Sequence, residues 1–247
     1  EALPPKALLL TFDDGYLDHF KYVYPILKRE NLSGLFFPPA ECIVTHKVLD
    51  VNKIHFVLAS VANKKIIVQD IYKYLDEYRD SYGLESNVHY MKKLGKKNRW
   101  DTAEVIFIKR ILQRELPESL RKIITDKIFK KYVTNDESDF SKELYMDIHQ
   151  ISHLQNNGMY VGSHSYSHCW LNSIDYNSQL KEINLSIEFL EKLGVPTKNW
   201  IMNYPYGAYN KDTLKILKEL NCAIGITTKP GKVTLGKSDP LQYSRFD

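Results

Sequence analysis

Three short apolar runs in this chain each stop at a group of polar residues, and this feature constrains the fold more than any other. The runs and the groups that follow them are residues 7–10 before Thr-Phe-Asp-Asp-Gly at 11–15, residues 159–161 before Gly-Ser-His-Ser-Tyr-Ser-His at 162–168, and residues 200–202 before Asn-Tyr-Pro-Tyr-Gly at 203–207. In α/β folds with parallel strands, ligands bind just beyond the carboxyl ends of the strands. The pattern therefore predicts short buried strands that carry an active site at their carboxyl ends.

Segments with helical periodicity lie between these predicted strands. The apolar residues predict helices over 18–30, around 180–190 and around 214–220, and a further strand at 223–227. Strands and helices therefore alternate along the chain. This order predicts βαβ units and a barrel or partial barrel of parallel strands.

Residues 41–140 interrupt that alternation, because they contain few strand-like runs. Helices are predicted near residues 54–62, 69–78, 101–115 and 117–132. We therefore expect one catalytic domain, residues 1–247, with a mainly helical insertion at 41–140. The insertion is either structural or a dimer surface, or it is a cap that shapes a substrate cleft, and the sequence favours neither interpretation.

Composition and charge argue against several other classes of protein. A hydrophobic content of 43% and a charged content of 26% are ordinary for a globular enzyme. The net charge is only +4, which argues against a nucleic-acid partner, and we interpret the lysine-rich stretch 92–97 as a solvated loop. No apolar run is long enough to span a bilayer. We expect a cytoplasmic protein, and export stays open because the chain begins with Glu1 rather than Met.

Two histidines in the second polar group have a spacing that suits a metal ion. His164 and His168 are four positions apart, so a helical turn after His164 would direct both imidazoles to one ion. An aspartate from another strand end would supply the third ligand. His149 and His153 have the same spacing, but they lie on a predicted amphipathic helix, and we interpret them as part of an ordinary helix surface.

In their order along the chain, the three polar groups resemble the first three motifs of the NodB-type polysaccharide deacetylases, carbohydrate esterase family 4. Gly-Leu-Phe-Phe-Pro at 34–38 is similar to the second strand of that family. The resemblance covers residues 6–40 and 141–247 and not the stretch between them. It implies an irregular (β/α) barrel of the polysaccharide deacetylase type. It also implies metal-dependent hydrolysis of the N-acetyl group of an amino sugar in a bacterial polysaccharide or glycolipid precursor.

The resemblance assigns roles to individual residues of this chain. It makes Asp13 the general base, and it makes Asp14, His164 and His168 the ligands of a divalent metal, which we expect to be Zn²⁺. Three protein ligands leave open positions on a zinc-like ion, where a bound water becomes more acidic and an amide carbonyl is polarised. The resemblance further implies that the backbone N–H of Tyr206 stabilises the oxyanion.

One departure from the family pattern concerns the support of the base. Many members have an arginine at the start of the third motif, where it holds the catalytic aspartate, but this chain has Asn203. We assign Asn203, together with Tyr206, to substrate binding. Arg245 follows the last predicted strand, and we expect it to supply the missing guanidinium to Asp13 as part of the catalytic set.

A second departure concerns the general acid. The family often places a histidine after the third motif to protonate the leaving amine, but no histidine follows His168 in this sequence. The proton would then come from another residue, from water, or from a part of the protein beyond Asp247. His19 and His55 are possible donors, although nothing in their spacing selects them.

The three cysteines, Cys42, Cys169 and Cys222, are odd in number and lack metal-type spacing, so we interpret them as reduced thiols. Cys169 adjoins His168 and is expected to be a bystander near the site rather than a ligand.

Two other functions stay open at this point. One is hydrolysis of a non-carbohydrate amide, as in imidase-like or deformylase-like relatives. The other is an inactive, carbohydrate-binding relative, which Asn203 and the missing late histidine favour and the complete set of aspartates and histidines disfavours. The sequence does not define the oligomeric state.

Overall fold

The computed structural model describes residues 6–246, and these residues form two compact units. The first, called the α/β unit here, comprises the described parts of residues 1–47 and 141–247. The second, called the helical unit, comprises residues 48–140 and falls within the predicted insertion. It begins later than residue 41 because helix α2 (Ala40–Thr45) belongs to the α/β unit.

The α/β unit contains parallel strands that pair in chain order. Their bounds are β1 (Leu10–Asp13), β2 (Gly34–Phe37), β3 (Tyr160–Val161), β4 (Ile201–Asn203) and β5 (Ile224–Ile226). β1, β2 and β3 form one sheet, and β4 pairs with β5 in a second. Parallel bridges continue the ladder from Ser163 to Met202 and from Ile226 to Tyr243. The predicted parallel α/β class is confirmed, although the strand pairings of residues 6–246 do not by themselves show a closed barrel.

Helices connect these strands, as a parallel arrangement requires. They are α1 (Tyr24–Arg29), which follows a π-helical turn at His19–Val23, then α2, α9 (Ile148–Asn156), α10 (Tyr176–Lys192) and α11 (Lys211–Glu219). α10 and α11 contribute Ile183, Ile216 and Leu217 to a core cluster that also contains Trp200 and Met202 of the β4 region. This packing fixes the strand whose carboxyl end is Asn203.

β1 begins later than the apolar run at residues 7–10 suggests. Leu8 and Leu9 are 84% and 58% exposed, and the strand starts only at Leu10. Pairing with β2 sets these limits, because its register runs from Leu10 opposite Gly34 to Asp13 opposite Phe37. Asp13 is therefore the last residue of the strand rather than a residue beyond it.

The helix predicted over residues 18–30 also differs in detail from its pattern. Tyr22 and Ile26 are 63% and 49% exposed, whereas Leu27 is buried. The π-helical turn at His19–Val23 changes the rotation per residue, so the 3.6-residue periodicity does not continue into α1.

The helical unit is built from helices whose apolar sides form its core. Their bounds are α3 (Asp50–Ser60), α4 (Lys64–Tyr82), α5 (Asn87–Leu94), α6 (Ala103–Arg110) with a π-helical turn at Ile111–Glu115, α7 (Glu118–Tyr132) and the start of α8 (Glu137–Leu144). α3 packs against α7, and Ile54, Ile71 and Ile124 are among the fully buried side chains. α5 and α8 were not predicted because each is only 8 residues long.

A buried lysine joins three helices of this unit. Lys53 on α3 is 2% exposed, and its Nζ atom lies 2.5 Å from Asp126 and 2.8 Å from Glu137. Burial by itself lowers the pKa of Lys53, but hydrogen bonds to Asp126 and Glu137 outweigh burial and raise that pKa above its usual value. The charge of this lysine is therefore compensated inside the unit.

Within residues 6–246, no helix combines the length and the apolar character needed to cross a lipid bilayer.

Candidate metal centre

The turn after β1 presents Asp14 at the carboxyl end of the sheet. Asp14 and Gly15 both adopt left-handed backbone conformations, with φ values of 67° and 68°. Aspartate tolerates this conformation better than most residues, whereas a Cβ atom at position 15 would also lie 2.8 Å from Pro38 Cβ. The sequence Asp-Asp-Gly therefore suits this turn. The hydroxyl group of Tyr16 donates a hydrogen bond of 3.2 Å to Asp14 Oδ2.

The segment after β3 brings His164 and His168 together without forming a helix. Ser165 and His168 have left-handed φ values of 57° and 58°, so the two imidazoles converge without a helical turn after His164. Serine side chains replace the helical hydrogen bonds. Ser165 Oγ accepts from the His168 N–H at 3.1 Å, and Ser163 Oγ accepts from the Ser165 N–H at 3.2 Å.

Asp14, His164 and His168 converge on one point. Asp14 Oδ1 lies 3.3 Å from His168 Nε2 and 3.6 Å from His164 Nε2, and one potential ligand atom from each side chain lies within 4.8 Å of the others. Both histidines are buried. In the described part of the chain, this is the one group of three or more such side chains with metal-ligand geometry.

A backbone contact orients the ring of His164. Its Nδ1 atom lies 2.7 Å from the carbonyl oxygen of Asn203. A carbonyl can only accept, so Nδ1 carries the proton and the lone pair of Nε2 faces the convergence point. This is the usual way in which a second contact prepares an imidazole for a metal ion.

The electrostatics of the group also fit a metal ion. Burial by itself raises the pKa of Asp14, but the nearby imidazoles of His168 and His164 and the Tyr16 hydroxyl together lower that pKa below its ordinary range. Burial lowers the pKa of His164, which favours a neutral imidazole. Asp14 Oδ1 is buried and has no hydrogen-bond partner among residues 6–246. A divalent cation would satisfy this oxygen, since metals bind ionised carboxylates and neutral imidazoles.

Glu182 of α10 holds the segment between the two histidines. Its carboxylate accepts two hydrogen bonds of 2.9 Å from Ser167, one from the backbone N–H and one from the hydroxyl group. Burial raises the pKa of Glu182, and the bonds from Ser167 oppose that effect. On the other side, the backbone N–H of Glu41 donates to the Tyr166 carbonyl at 2.8 Å. No sequence motif marks Glu182, because its partner is distant in the chain.

Asp13 occupies a separate environment beside the histidines. Arg245 binds it in a forked arrangement, with Nη1 3.0 Å from Oδ1 and Nη2 2.6 Å from Oδ2. Asn203 Nδ2 donates a further hydrogen bond of 2.5 Å to Oδ1. The predicted proximity of Arg245 and Asp13 is confirmed, while the roles assigned to both residues stay predictions. Asn203, which we assigned to substrate binding, is fully buried against Asp13.

Tyr206 lies in a tight turn next to the histidines. Its φ value is 58°, and the Gly207 that follows has a φ value of 64°. The Tyr206 ring stacks on Trp170, with centroids 4.3 Å apart and planes 4° apart, and its centroid lies 4.7 Å from that of His168. Trp170 was not predicted, because its position two residues after His168 carries no signal of its own.

Three further histidines are not part of the metal-type group. His153 on α9 contacts the Tyr24 hydroxyl through Nε2 at 3.1 Å, in keeping with its interpretation as a helix-surface residue. His19 is partly buried against the rings of Phe12 and Phe36, and burial lowers its pKa. His55 is an exposed residue of α3 in the helical unit.

The three cysteines are free thiols in the structure. Cys169 packs against the core cluster around Trp200 and is not part of the metal-type group.

A comparison with protein families now defines the class of this chain. The family described as polysaccharide deacetylase matches residues 1–98 and 129–225, which is more than half of the sequence. The chain belongs to this family. The match includes part of the helical unit, which the sequence resemblance had left out, and it ends before the segment that carries Arg245.

Particular relatives agree with this assignment. The Bacillus subtilis (strain 168) protein YxkH, a polysaccharide deacetylase by name, is 29% identical over 82 residues, which are 33% of this chain and 29% of that protein. Among solved structures, the deacetylase PplD of Streptococcus pyogenes matches with a TM-score of 0.56 and 17% identity. The alignment covers 100% of this chain and 66% of the PplD chain.

Two further structures show the same fold. IcaB of Ammonifex degensii matches with a TM-score of 0.53 and 16% identity, and the alignment covers 100% of this chain and 69% of the IcaB chain. The deacetylase domain of BpsB from Bordetella bronchiseptica matches with a TM-score of 0.51 and 17% identity, and the alignment covers 99% of this chain and 72% of the BpsB chain. At these identities the likeness concerns the fold. This chain spans about two thirds of the length of these structural relatives.

Proposed function

We propose that this protein hydrolyses the N-acetyl group of an amino sugar with the help of a divalent metal ion. The observation that carries the proposal is the convergence of Asp14, His164 and His168, with the ion-paired Asp13 adjoining in the chain. A bound metal, for which we propose Zn²⁺, would polarise the amide carbonyl and make a water molecule more acidic.

Asp13 is the proposed general base. Its Oδ1 atom accepts two hydrogen bonds, from Asn203 and Arg245, whereas Oδ2 accepts one, from Arg245. A carboxylate oxygen has two lone-pair sites, so Oδ2 keeps one with which to take a proton from water. Arg245 and Asn203 are then positioning residues, because they act on the substrate only through Asp13.

The protein groups around the metal ligands limit how the ligands can move. The Asn203 carbonyl fixes the ring of His164, and Glu182 fixes the segment that leads to His168. Tyr206, in its strained turn, is the proposed source of a backbone N–H for the oxyanion.

The proposed substrate class follows from the family. Polysaccharide deacetylases act on N-acetylated sugars, and PplD was solved in complex with acetate, which is the acid product of such a reaction. We propose a bacterial polysaccharide or glycolipid precursor as the source of the sugar.

The experiment pairs metal analysis with a screen for acetate release. The purified protein is loaded with Zn²⁺, its metal content is measured by atomic emission, and acetate is quantified after incubation with N-acetylglucosamine oligomers. We expect about one metal ion per chain and release of acetate that stops on addition of a chelator. His164→Ala should lower both metal content and acetate release.

His149→Ala is the matched control. His149 is also four residues before another histidine, His153, but its side chain is exposed on the surface of α9. It should leave both readings unchanged. Metal binding without acetate release from any sugar, but with hydrolysis of a cyclic imide or a formamide, would replace the substrate class. Equal metal content in His164→Ala and in the parent protein would contradict the site itself.

A further inference from the structure

A ten-residue stretch of the helical unit concentrates the net charge of the whole protein. Residues 92–101, called the basic tip here, contain five of the 34 lysines and arginines and one of the 30 acidic residues. The remaining 29 basic and 29 acidic residues balance, so this stretch alone carries the formal net charge of +4. The stretch comprises the end of α5 and most of the loop that leads to α6.

The basic tip also presents a large aromatic side chain to solvent. Trp100 is 81% exposed, whereas Trp200 is fully buried and Trp170 is stacked on Tyr206. Asn98 holds the turn, because its Oδ1 atom accepts from the backbone N–H groups of Trp100 and Asp101 at 2.8 and 2.7 Å. Tryptophan is among the residues that proteins expose least readily unless the exposed ring serves a contact.

Most of the cations in the basic tip lack an acidic partner. The one acid, Asp101, is paired with Lys109 at 2.8 Å, and Lys93 is paired with Glu115 at 2.5 Å. In the described chain, no ion pair involves the exposed side chains Lys92, Lys96, Lys97 and Arg99. The Arg99 guanidinium lies 4.8 Å from the centroid of the Trp100 ring, so cation and indole are presented together.

We propose that the basic tip docks on the surface of an anionic lipid bilayer, with Trp100 at the level of the headgroups. Uncompensated cations gain energy near anionic headgroups, and an indole ring prefers the interface between headgroups and acyl chains. A soluble polyanion would satisfy the cations but would offer no apolar layer to Trp100. The combination therefore fits a lipid surface better than a polymer in solution. This inference does not depend on the proposed deacetylase activity.

Co-sedimentation with lipid vesicles tests the proposal. The full chain is mixed with vesicles of phosphatidylcholine alone, or of equal parts phosphatidylcholine and phosphatidylglycerol, at low and at high salt. We expect binding to the anionic vesicles only, and weaker binding as salt rises, because screening shortens the reach of the attraction. Equal binding to both vesicle types, or to neither, would overturn the proposal.

Charge variants locate the contact. Each cation near an anionic surface contributes about fivefold to partitioning, so Lys96→Gln combined with Lys97→Gln should weaken binding about 25-fold. The matched control is Lys211→Gln combined with Lys218→Gln, which removes two exposed lysines from α11. This control should weaken binding by less than about a third of the factor expected for the double variant at Lys96 and Lys97. Equal losses in both double variants would show attraction by net charge alone and would contradict the proposal.

The emission of Trp100 provides a second measurement. Because the other two tryptophans are buried or stacked, a lipid-induced blue shift should come from Trp100 and should disappear in Trp100→Phe. Inorganic polyphosphate is the comparison ligand. Competition by polyphosphate with no blue shift on vesicles would assign the basic tip to polyanions in solution and would overturn the lipid proposal.

Discussion

The two units differ in how completely their buried charged groups are paired. In the helical unit, buried Lys53 meets two carboxylates, and buried Asp70 accepts from Lys131, Tyr132 and Lys73. In the α/β unit, the buried atoms Asp14 Oδ1 and Asn203 Oδ1 have no hydrogen-bond partner within residues 6–246. Buried polar atoms are normally satisfied, so the exceptions require an explanation.

This difference separates charges that stabilise a structure from charges that can act on a ligand. A buried charge whose partners are complete has no capacity left for another molecule. Asp14 lies next to two imidazole nitrogens with one oxygen unsatisfied, which is the condition that a metal ion relieves.

The largest expected effect is on the stability of the helical unit. Asp126→Asn combined with Glu137→Gln leaves Lys53 buried with no counter-charge, which should destabilise the fold by about 3–5 kcal/mol. Lys53→Met should cost less, because the acids that it leaves are 45% and 31% exposed and can bind water. Urea denaturation followed by circular dichroism measures both. Lys73→Gln, which removes a 77%-exposed partner of Asp70, should cost less than about 1 kcal/mol.

The second prediction concerns Asp13. If Asp13 is the base, Asp13→Asn should lower kcat at least about a hundredfold, which is the usual scale for the loss of general-base catalysis. Metal content should stay near that of the parent, because Asp14 and the histidines are untouched. Loss of the metal together with activity would instead make Asp13 a ligand, and unchanged activity would remove it from the mechanism.

The third prediction concerns Arg245. Arg245→Lys keeps the charge but cannot reproduce the two contacts to Asp13, so kcat should fall about tenfold while KM and metal content stay near the parent values. Arg29→Lys is the control, because within residues 6–246 Arg29 forms an ion pair only with exposed Glu30. Arg245→Ala combined with Asn203→Arg should recover part of the lost activity. A fall in kcat that is accompanied by a fall in melting temperature, with no recovery of activity in the double variant, would indicate a purely structural ion pair.

The smallest effect is expected at Glu182. Glu182→Gln can keep one of the two hydrogen bonds from Ser167, so metal affinity should fall only about threefold, less than for a residue that contacts a ligand directly. Competition with a chelator measures this change. Glu188→Gln changes an exposed residue of the same helix and should leave metal affinity unchanged. A loss in Glu188→Gln as large as in Glu182→Gln would show that α10 acts as a whole.

The sequence predicts the strand ends well, because apolar runs and polar motifs are local features. β3, β4 and β5 lie where their patterns place them, and the residues of the metal-type group follow from the family resemblance. The limits of β1 were less predictable, since pairing with β2, and not hydrophobicity, decides that Leu8 and Leu9 stay outside.

Contacts between distant parts of the chain were harder to predict. The spacing of His164 and His168 suggested a helical turn, but serine side chains and two left-handed residues produce the same convergence. Glu182 has no motif, because only the folded chain brings it to Ser167. Asn203 was assigned from the position of its motif, and its buried contact with Asp13 depends on the pairing of β4 with its neighbours.

The forked contact of Arg245 with Asp13 joins residues 232 positions apart, whereas the Asn203 carbonyl reaches His164 across 39 positions. Closing the longer loop costs more chain entropy, so the two halves of the site should form at different stages of folding. The segment with Arg245 is secured by few backbone bonds, among them Thr227 N–H to the Tyr243 carbonyl at 2.9 Å and Arg245 N–H to the Lys229 carbonyl at 3.1 Å. Local opening there, visible as faster amide hydrogen exchange, would remove the guanidinium from Asp13 while the contact with Asn203 and the metal ligands stay in place.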